Sequence, residues 1–218
     1  MPARLRTSPP HNRRIITDGK HFSVDGERFV FRGVTYGTFR PRDLDETRFP
    51  PPARVRTDFG AMRAAGFTVV RTYHPPPEDV LDAAGDCGLR VMSDVFYSDW
   101  RYMPGASRRE SRRLMSCARA QVRETARQLR GDERVLALSL GNEIPADVIR
   151  WIGTARVAKL IEELAAVVRE EDPERLVTYA NYPTAEYLPL ECVDFLTFNV
   201  YLEQREDLRR YLLQSSQP

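Results

Sequence analysis

The tripeptide Gly141-Asn142-Glu143 directly follows the apolar run Val135-Leu-Ala-Leu-Ser-Leu140, and it holds the residues best placed for chemistry. A carboxylate at the end of a buried strand is desolvated by its surroundings, which moves its pKa toward the range of ~6–7 useful to a general acid. A neighbouring amide can bind a ligand hydroxyl without adding charge. The alternative is structural: Asn142 and Glu143 cap the next helix, with Pro145 at an early helical position. Similar residues close the other apolar runs. Arg71 and His74 end the second, Asp94 and Asp99 follow the third, Asn181 and Tyr182 end the fifth, and Asn199 and Tyr201 end the sixth. Singly, each has a plain reading: Arg71 as an ion-pair partner, His74 as a satisfied loop histidine, Tyr36, Tyr97 and Trp100 as rim packing. Together they place arginine, carboxylate, amide and aromatic groups around one mouth. That set suits a hydroxyl-rich ligand, with aromatics on the apolar face of a ring and polar groups on its hydroxyls.

The elements that must position these residues are legible as short apolar runs alternating with helical patterns. Phe22 to Val30 reads as a hairpin around Asp25-Gly26, and Phe29 to Val34 runs on into a first strand ending at Tyr36-Gly37. Phe67–Arg71, Leu89–Asp94, Val135–Leu140, Leu176–Ala180 and Val193–Phe198 read as five more strands. Val157, Leu160, Ile161, Leu164, Val167 and Val168 form one apolar helix face. Nearly continuous apolar strands alternating with helices predict a parallel sheet covered by helices, with polar groups collected at the strand C-terminal ends. Residues 1–19 read as a mobile polar arm, 20–213 as one α/β domain and 214–218 as a polar tail.

Composition narrows the function classes. The chain has 218 residues, 42% hydrophobic and 29% charged, with a net charge of +2, which argues against a dedicated nucleic-acid binder. Nine arginines lie between Arg101 and Arg130, but Leu114, Ala118, Val122, Ala126 and Leu129 recur among them at helical spacing. The arginines therefore read as the outer face of a helix. No apolar run approaches the ~18 residues of a membrane span, and the first twenty residues lack the apolar stretch of a secretory signal. Cys87, Cys117 and Cys192 show neither paired-cysteine nor zinc-ligand spacing, so a reduced, cytoplasmic protein without a metal is expected. The glycine-rich phosphate-binding fingerprints are absent, and no cofactor is expected.

Phe31-Arg-Gly-Val-Thr-Tyr-Gly, Val70-Arg-Thr-Tyr-His-Pro, Leu140-Gly-Asn-Glu-Ile-Pro and Phe198-Asn-Val-Tyr resemble the catalytic barrel of glycoside hydrolase family 2. That family includes β-galactosidases, β-glucuronidases and β-mannosidases. The resemblance covers roughly residues 20–213 and implies a (β/α)8 TIM barrel that hydrolyses a β-linked sugar with retention. It implies Glu143 as general acid/base, Asn142 on the sugar 2-hydroxyl, and Arg71 and Tyr201 on the carboxylate of a nucleophile. His74 would lie near the sugar subsite. Asn199, Asn181, Trp100 and Asp99 are assigned as sugar contacts from their strand-end positions.

A retaining glycosidase needs a second carboxylate ~5–5.5 Å from the first, and in this family it follows strand seven. The expectation is an incomplete barrel of about six βα units, strands seven and eight absent, inactive alone, with a second chain or copy as the source of the missing strands. Two other readings remain: a non-catalytic fragment that binds carbohydrate or a partner, and an open α/β nucleotide binder.

Overall fold

The computed structural model describes residues 14–40, 48–95, 97, 105 and 107–215. Three short antiparallel strands come first: β1 (Ile16–Asp18), β2 (His21–Val24) and β3 (Glu27–Phe29). Asp25 and Gly26 join β2 to β3 with φ of 52° and 78°. Two left-handed residues in a two-residue loop make a turn whose twist matches that of the strands.

Six parallel strands follow: β4 (Gly33–Tyr36), β5 (Val69–Thr72), β6 (Arg90–Asp94), β7 (Val135–Asn142), β8 (Leu176–Asn181) and β9 (Thr197–Phe198). Six helices accompany them: α1 (Pro52–Ala64), α2 (Glu78–Asp86), α3 (Arg108–Gln128), α4 (Ala146–Ile152), α5 (Thr154–Glu171) and α6 (Arg205–Ser215). The strands lie in the sheet in the order of the chain, β4 to β9, without a reversal. A doubly wound nucleotide-binding sheet reverses its strand order at the ligand crevice; a barrel does not. The curled, unreversed sheet is thus TIM-barrel-like, and the open-sheet reading falls.

β5, β6 and β8 are buried along their whole length, as strands covered on both faces must be. The main core packs Val55 and Phe59 of α1, Val80 and Leu81 of α2, Val122 of α3 and Ile161 and Leu164 of α5 against the outer faces of the strands. A smaller inner cluster joins Val69, Met92, Leu136, Ala137 and Leu176 to Ile15, with Phe22 and Phe29 of the hairpin packed on it. The hairpin therefore lies against the sheet and packs on the barrel interior.

This packing corrects the arm boundary. Residues 14–19 are part of the fold, because Ile15 is buried and Arg14 pairs with Asp172 at 3.2 Å. Three smaller differences follow. The run from Phe29 to Val34 is two strands, since Thr68 Oγ1 donates to Val30 O and accepts from Arg32 N across the break. In the sixth run only Thr197–Phe198 joins the ladder. Ahead of it, the Asp194 carboxylate accepts from Val177 N at 2.7 Å, taking the place of a backbone carbonyl. α6 extends to Ser215, so the tail expected from 214 begins in a helix.

α3 opens with a capping box, Ser107 Oγ accepting from Glu110 N and Glu110 Oε2 accepting from Ser107 N. Its arginine face is not simply bathed in water. Arg119, Arg123 and Arg127 pair with Glu163, Glu170 and Glu171 of α5 at 2.6–3.0 Å.

Candidate active site

The end of β7 makes a tightly held corner. Gly141 fits closely there: a Cβ would stand 3.0 Å from Tyr97 Oη and 3.2 Å from the Tyr179 ring, so those side chains would have to give by a few tenths of an ångström. Tyr97 Oη donates to Leu140 O, and Glu143 N donates to Ala180 O of β8 at 2.8 Å. Glu143 itself adopts φ of 46°, a left-handed conformation that costs a side-chain-bearing residue about 1 kcal/mol or more. Such strain persists only where the surroundings over-determine it, and here a buried tyrosine and a neighbouring strand do so.

The helix-cap alternative for Asn142 and Glu143 fails on the same geometry. α4 starts after Pro145 with no side-chain cap. The amides entering it are taken by tyrosine hydroxyls instead, Ile144 N by Tyr179 Oη at 2.9 Å and Ala146 N by Tyr182 Oη at 2.8 Å. The Asn142 and Glu143 side chains are left for other work.

Arg71, 8% exposed at the end of β5, ties four strand ends together. Its Nε and Nη2 donate to the Asp94 carboxylate at 3.1 and 2.7 Å, a two-point pair at the end of β6. Nη2 also donates to Asn142 Oδ1 at 2.8 Å, and Nη1 to Asn199 Oδ1 at 3.4 Å. Asn199 Nδ2 closes the triangle by donating to Asn142 Oδ1 at 3.0 Å. The Arg71 cation also sits 4.9 Å over the Tyr73 ring. Burial opposes the charge on Arg71, but the Asp94 hydrogen bonds and charge outweigh it and its pKa is raised. Burial likewise pushes the Asp94 carboxyl up, with Arg71 and Ser139 pulling it back.

Beside this network, Tyr201 Oη donates to Glu143 Oε1 at 2.5 Å. That bond is the main cause of a raised phenol pKa at a side chain that is 74% exposed. His74 lies half-buried on the turn after β5. Burial and the Arg48 charge hold it below the ordinary imidazole value, so near neutral pH it is uncharged.

The structure thus gathers Glu143, Asn142, Arg71, Asn199 and Tyr201. It removes Asn181 from the ligand-facing set: that side chain is 1% exposed, with Nδ2 donating to Ala185 O at 3.1 Å and Oδ1 accepting from Tyr182 N at 2.9 Å. Its amide shapes the turn after β8. Arg71, expected to hold a nucleophile, is held by Asp94, whose role the spacing of residues did not reveal. Asp99 and Trp100 lie outside the described residues. Among the described residues no three His, Cys, Asp or Glu side chains gather as metal ligands.

Within the curl, a cavity of about 430 Å³ extends between β4 and β9. Phe22, Phe31, Phe195 and Phe198 line it, together with Val34, Val69 and Arg71. Its walls are mostly apolar, and the Arg71 guanidinium leads from it to the strand-end cluster.

Comparison with known proteins agrees with the barrel-like fold. A β-glucuronidase of Paenibacillus borealis is 23% identical over 197 residues, which is 84% of this chain and 31% of that protein. Two solved structures share the fold. A Ruminococcus gnavus β-glucuronidase in complex with uronic deoxynojirimycin superposes with a TM-score of 0.74 at 17% identity, over 94% of this chain and 37% of the other. Bacteroides uniformis β-glucuronidase 2, covalently bound to cyclophellitol-6-carboxylate aziridine, gives 0.72 at 18% identity, over 93% and 25%. The chain thus spans 25–37% of the length of these relatives. The family described as glycosyl hydrolases family 2, TIM barrel domain, matches residues 15–217, and the chain belongs to that family.

Proposed function

We propose that this chain carries the proton-donor half of a retaining β-glycosidase site, with Glu143 as the general acid/base. The observation that carries the reading is the corner at the end of β7. Glu143 is held there in a left-handed conformation, hydrogen-bonded by Tyr201 and flanked by the Arg71–Asn142–Asn199 network. Glu143 delivers its proton to the glycosidic oxygen as the bond from the anomeric carbon to that oxygen breaks, and the aglycone leaves as an alcohol. As that bond breaks, the nucleophilic carboxylate bonds to the anomeric carbon. In the second step Glu143 takes a proton from a water whose oxygen displaces that carboxylate from the anomeric carbon and releases the sugar. Asn142 binds the sugar 2-hydroxyl.

The nucleophilic carboxylate belongs, on this reading, to polypeptide that pairs with the sheet beyond β9. Arg71 has five N–H groups, and Asp94, Asn142 and Asn199 occupy four of them. One on Nη1 remains to meet that carboxylate beside Tyr201. The apolar walls between β4 and β9 suit strands that complete the barrel from a continuation of the chain or from a partner. β-Glucuronides are the first substrates to try, because the named relatives are β-glucuronidases.

With the completing strands supplied, Glu143→Gln lowers hydrolysis of aryl β-glycosides by ~10²–10⁴-fold and partly spares substrates with activated leaving groups. The described chain alone turns these substrates over barely at all. A small effect of Glu143→Gln in the completed enzyme removes the assignment.

A further inference from the structure

We propose that Asp94 is a positioning residue: through Arg71 it sets the polarity of the Asn142 amide, so that position 142 donates to a ligand oxygen and cannot accept from one. The inference rests on the glycosidase reading only for the identity of that ligand.

Asp94 is 4% exposed and turns both carboxylate oxygens to Arg71, where they accept. It takes Nε and one Nη2 proton of Arg71, which fixes the guanidinium plane at two points. Arginine donates only, so every neighbour Arg71 touches next must turn an oxygen toward it. Asn142 and Asn199 both do, at 2.8 and 3.4 Å. With its oxygen toward Arg71, Asn199 directs its NH2 at Asn142 Oδ1, at 3.0 Å. Both lone pairs of that oxygen are then used. Rotating the Asn142 amide by half a turn would set its NH2 against two donors. The exposed Asn142 is left with its NH2 free among the described residues, a donor waiting for an acceptor such as a hydroxyl oxygen. Without Asp94, Arg71 loses its two-point anchor and nothing upstream orients either amide.

The chain has four asparagines, Asn12, Asn142, Asn181 and Asn199, so selective ¹⁵N-asparagine labelling of the whole chain yields four side-chain NH2 signals. In Asp94→Ala the Asn142 and Asn199 signals shift or broaden, while that of Asn181, whose partners are Ala185 O and Tyr182 N, stays in place. Asp94→Glu, which keeps the charge, returns both toward their original positions. An Asn142 signal unchanged in Asp94→Ala overturns the proposal, and so does an equal shift of Asn181. If Asp94→Ala does not fold, the unaltered chain carries the test through the Arg71 Nε–H. The proposal requires it to exchange with solvent at least about tenfold more slowly than exposed arginines do, and equal exchange overturns it. None of these signals needs turnover. An inactive enzyme therefore leaves the network intact as a finding, and a failed network leaves the role of Glu143 standing.

Discussion

Two buried arginines stand at opposite ends of the sheet, and their partners differ in kind. Arg175, 5% exposed, lies ahead of β8 and donates to the backbone carbonyls of Val135, Leu129 and Asp132 as well as to the Asp172 carboxylate. Arg71, 8% exposed, lies at the strand C-terminal ends, and its partners among the described residues are side chains: Asp94, Asn142, Asn199 and the Tyr73 ring. Burial opposes the charge on both. At Arg175 it prevails and lowers the pKa; at Arg71 the bonds from Asp94 reverse the outcome. An arginine committed to backbone carbonyls locks chain segments together and has nothing to offer a ligand. One held by side chains, one of them exposed, shapes a surface. The same residue type at similar burial is architecture at one end and site at the other.

That contrast breaks most visibly on removing each arginine. Arg175→Ala leaves the Asp172 carboxylate, in a residue 3% exposed, with Arg14 and the Gly131 N–H as its partners among the described residues, and frees three carbonyls. It should cost about 3–5 kcal/mol in urea unfolding, while the ligand affinity of the folded fraction stays unchanged. A cost near zero would mean that the lower cluster is not structural.

Asn181→Ala sharpens the comparison within one residue type. Its amide bridges Ala185 O and Tyr182 N in a buried turn, so the substitution should cost about 1–3 kcal/mol of stability. Asn142→Ala, at an exposed position, should cost less stability and more ligand affinity. Denaturation curves and binding isotherms for the pair settle the distinction; a reversed ranking would contradict it.

The smallest contrast is in acid. Asp172 is held below the ordinary carboxylate value, because the Gly131 N–H and the Arg175 and Arg14 charges outweigh its burial; Arg134 does the same for Asp132 against burial. A lowered folded-state value contributes stability that is complete above the unfolded value of about 3.9 and is lost as pH falls through the folded value. Asp94 is raised by burial, and its linkage has the opposite sign: the folded state takes up the proton first, and stability falls as pH rises through that range. Urea midpoints measured from pH 6 to 3 should therefore fall, and Asp172→Asn should flatten the fall. An unchanged slope would remove Asp172 from the acid response.

Much of this was legible in the sequence. The six parallel strands announced themselves as short apolar runs, and the Asn142-Glu143 corner by its place after the most apolar of them. Position relative to a strand end was not enough for Asn181, which shares residue type and station with Asn142. What separates them is the turn that follows: Pro183–Ala185 folds back over Asn181 and supplies a carbonyl for its amide. The partnership of Arg71 with Asp94 depends on the parallel register, in which Arg71 faces Met92, two residues before Asp94. Pairing of that sort has no periodic signature. β1 has three residues and no apolar alternation, so only the burial of Ile15 and the Arg14–Asp172 pair mark it as part of the fold. Tyr179 is fully buried in the core, and its hydroxyl fixes the amide of Ile144, next to Glu143.

The most direct test of the central claim is calorimetric titration of the chain and its Glu143→Gln variant with basic iminosugars of gluco, galacto, manno and glucurono configuration. An iminosugar cation donates to a carboxyl oxygen of Glu143, and a hydrogen bond to a charged group is worth about 1.5–3 kcal/mol, or roughly 10–100-fold in affinity. The account predicts saturable 1:1 binding of at least one configuration, weakened about tenfold or more by Glu143→Gln. Binding of equal strength in the two proteins, or none to either, would contradict it.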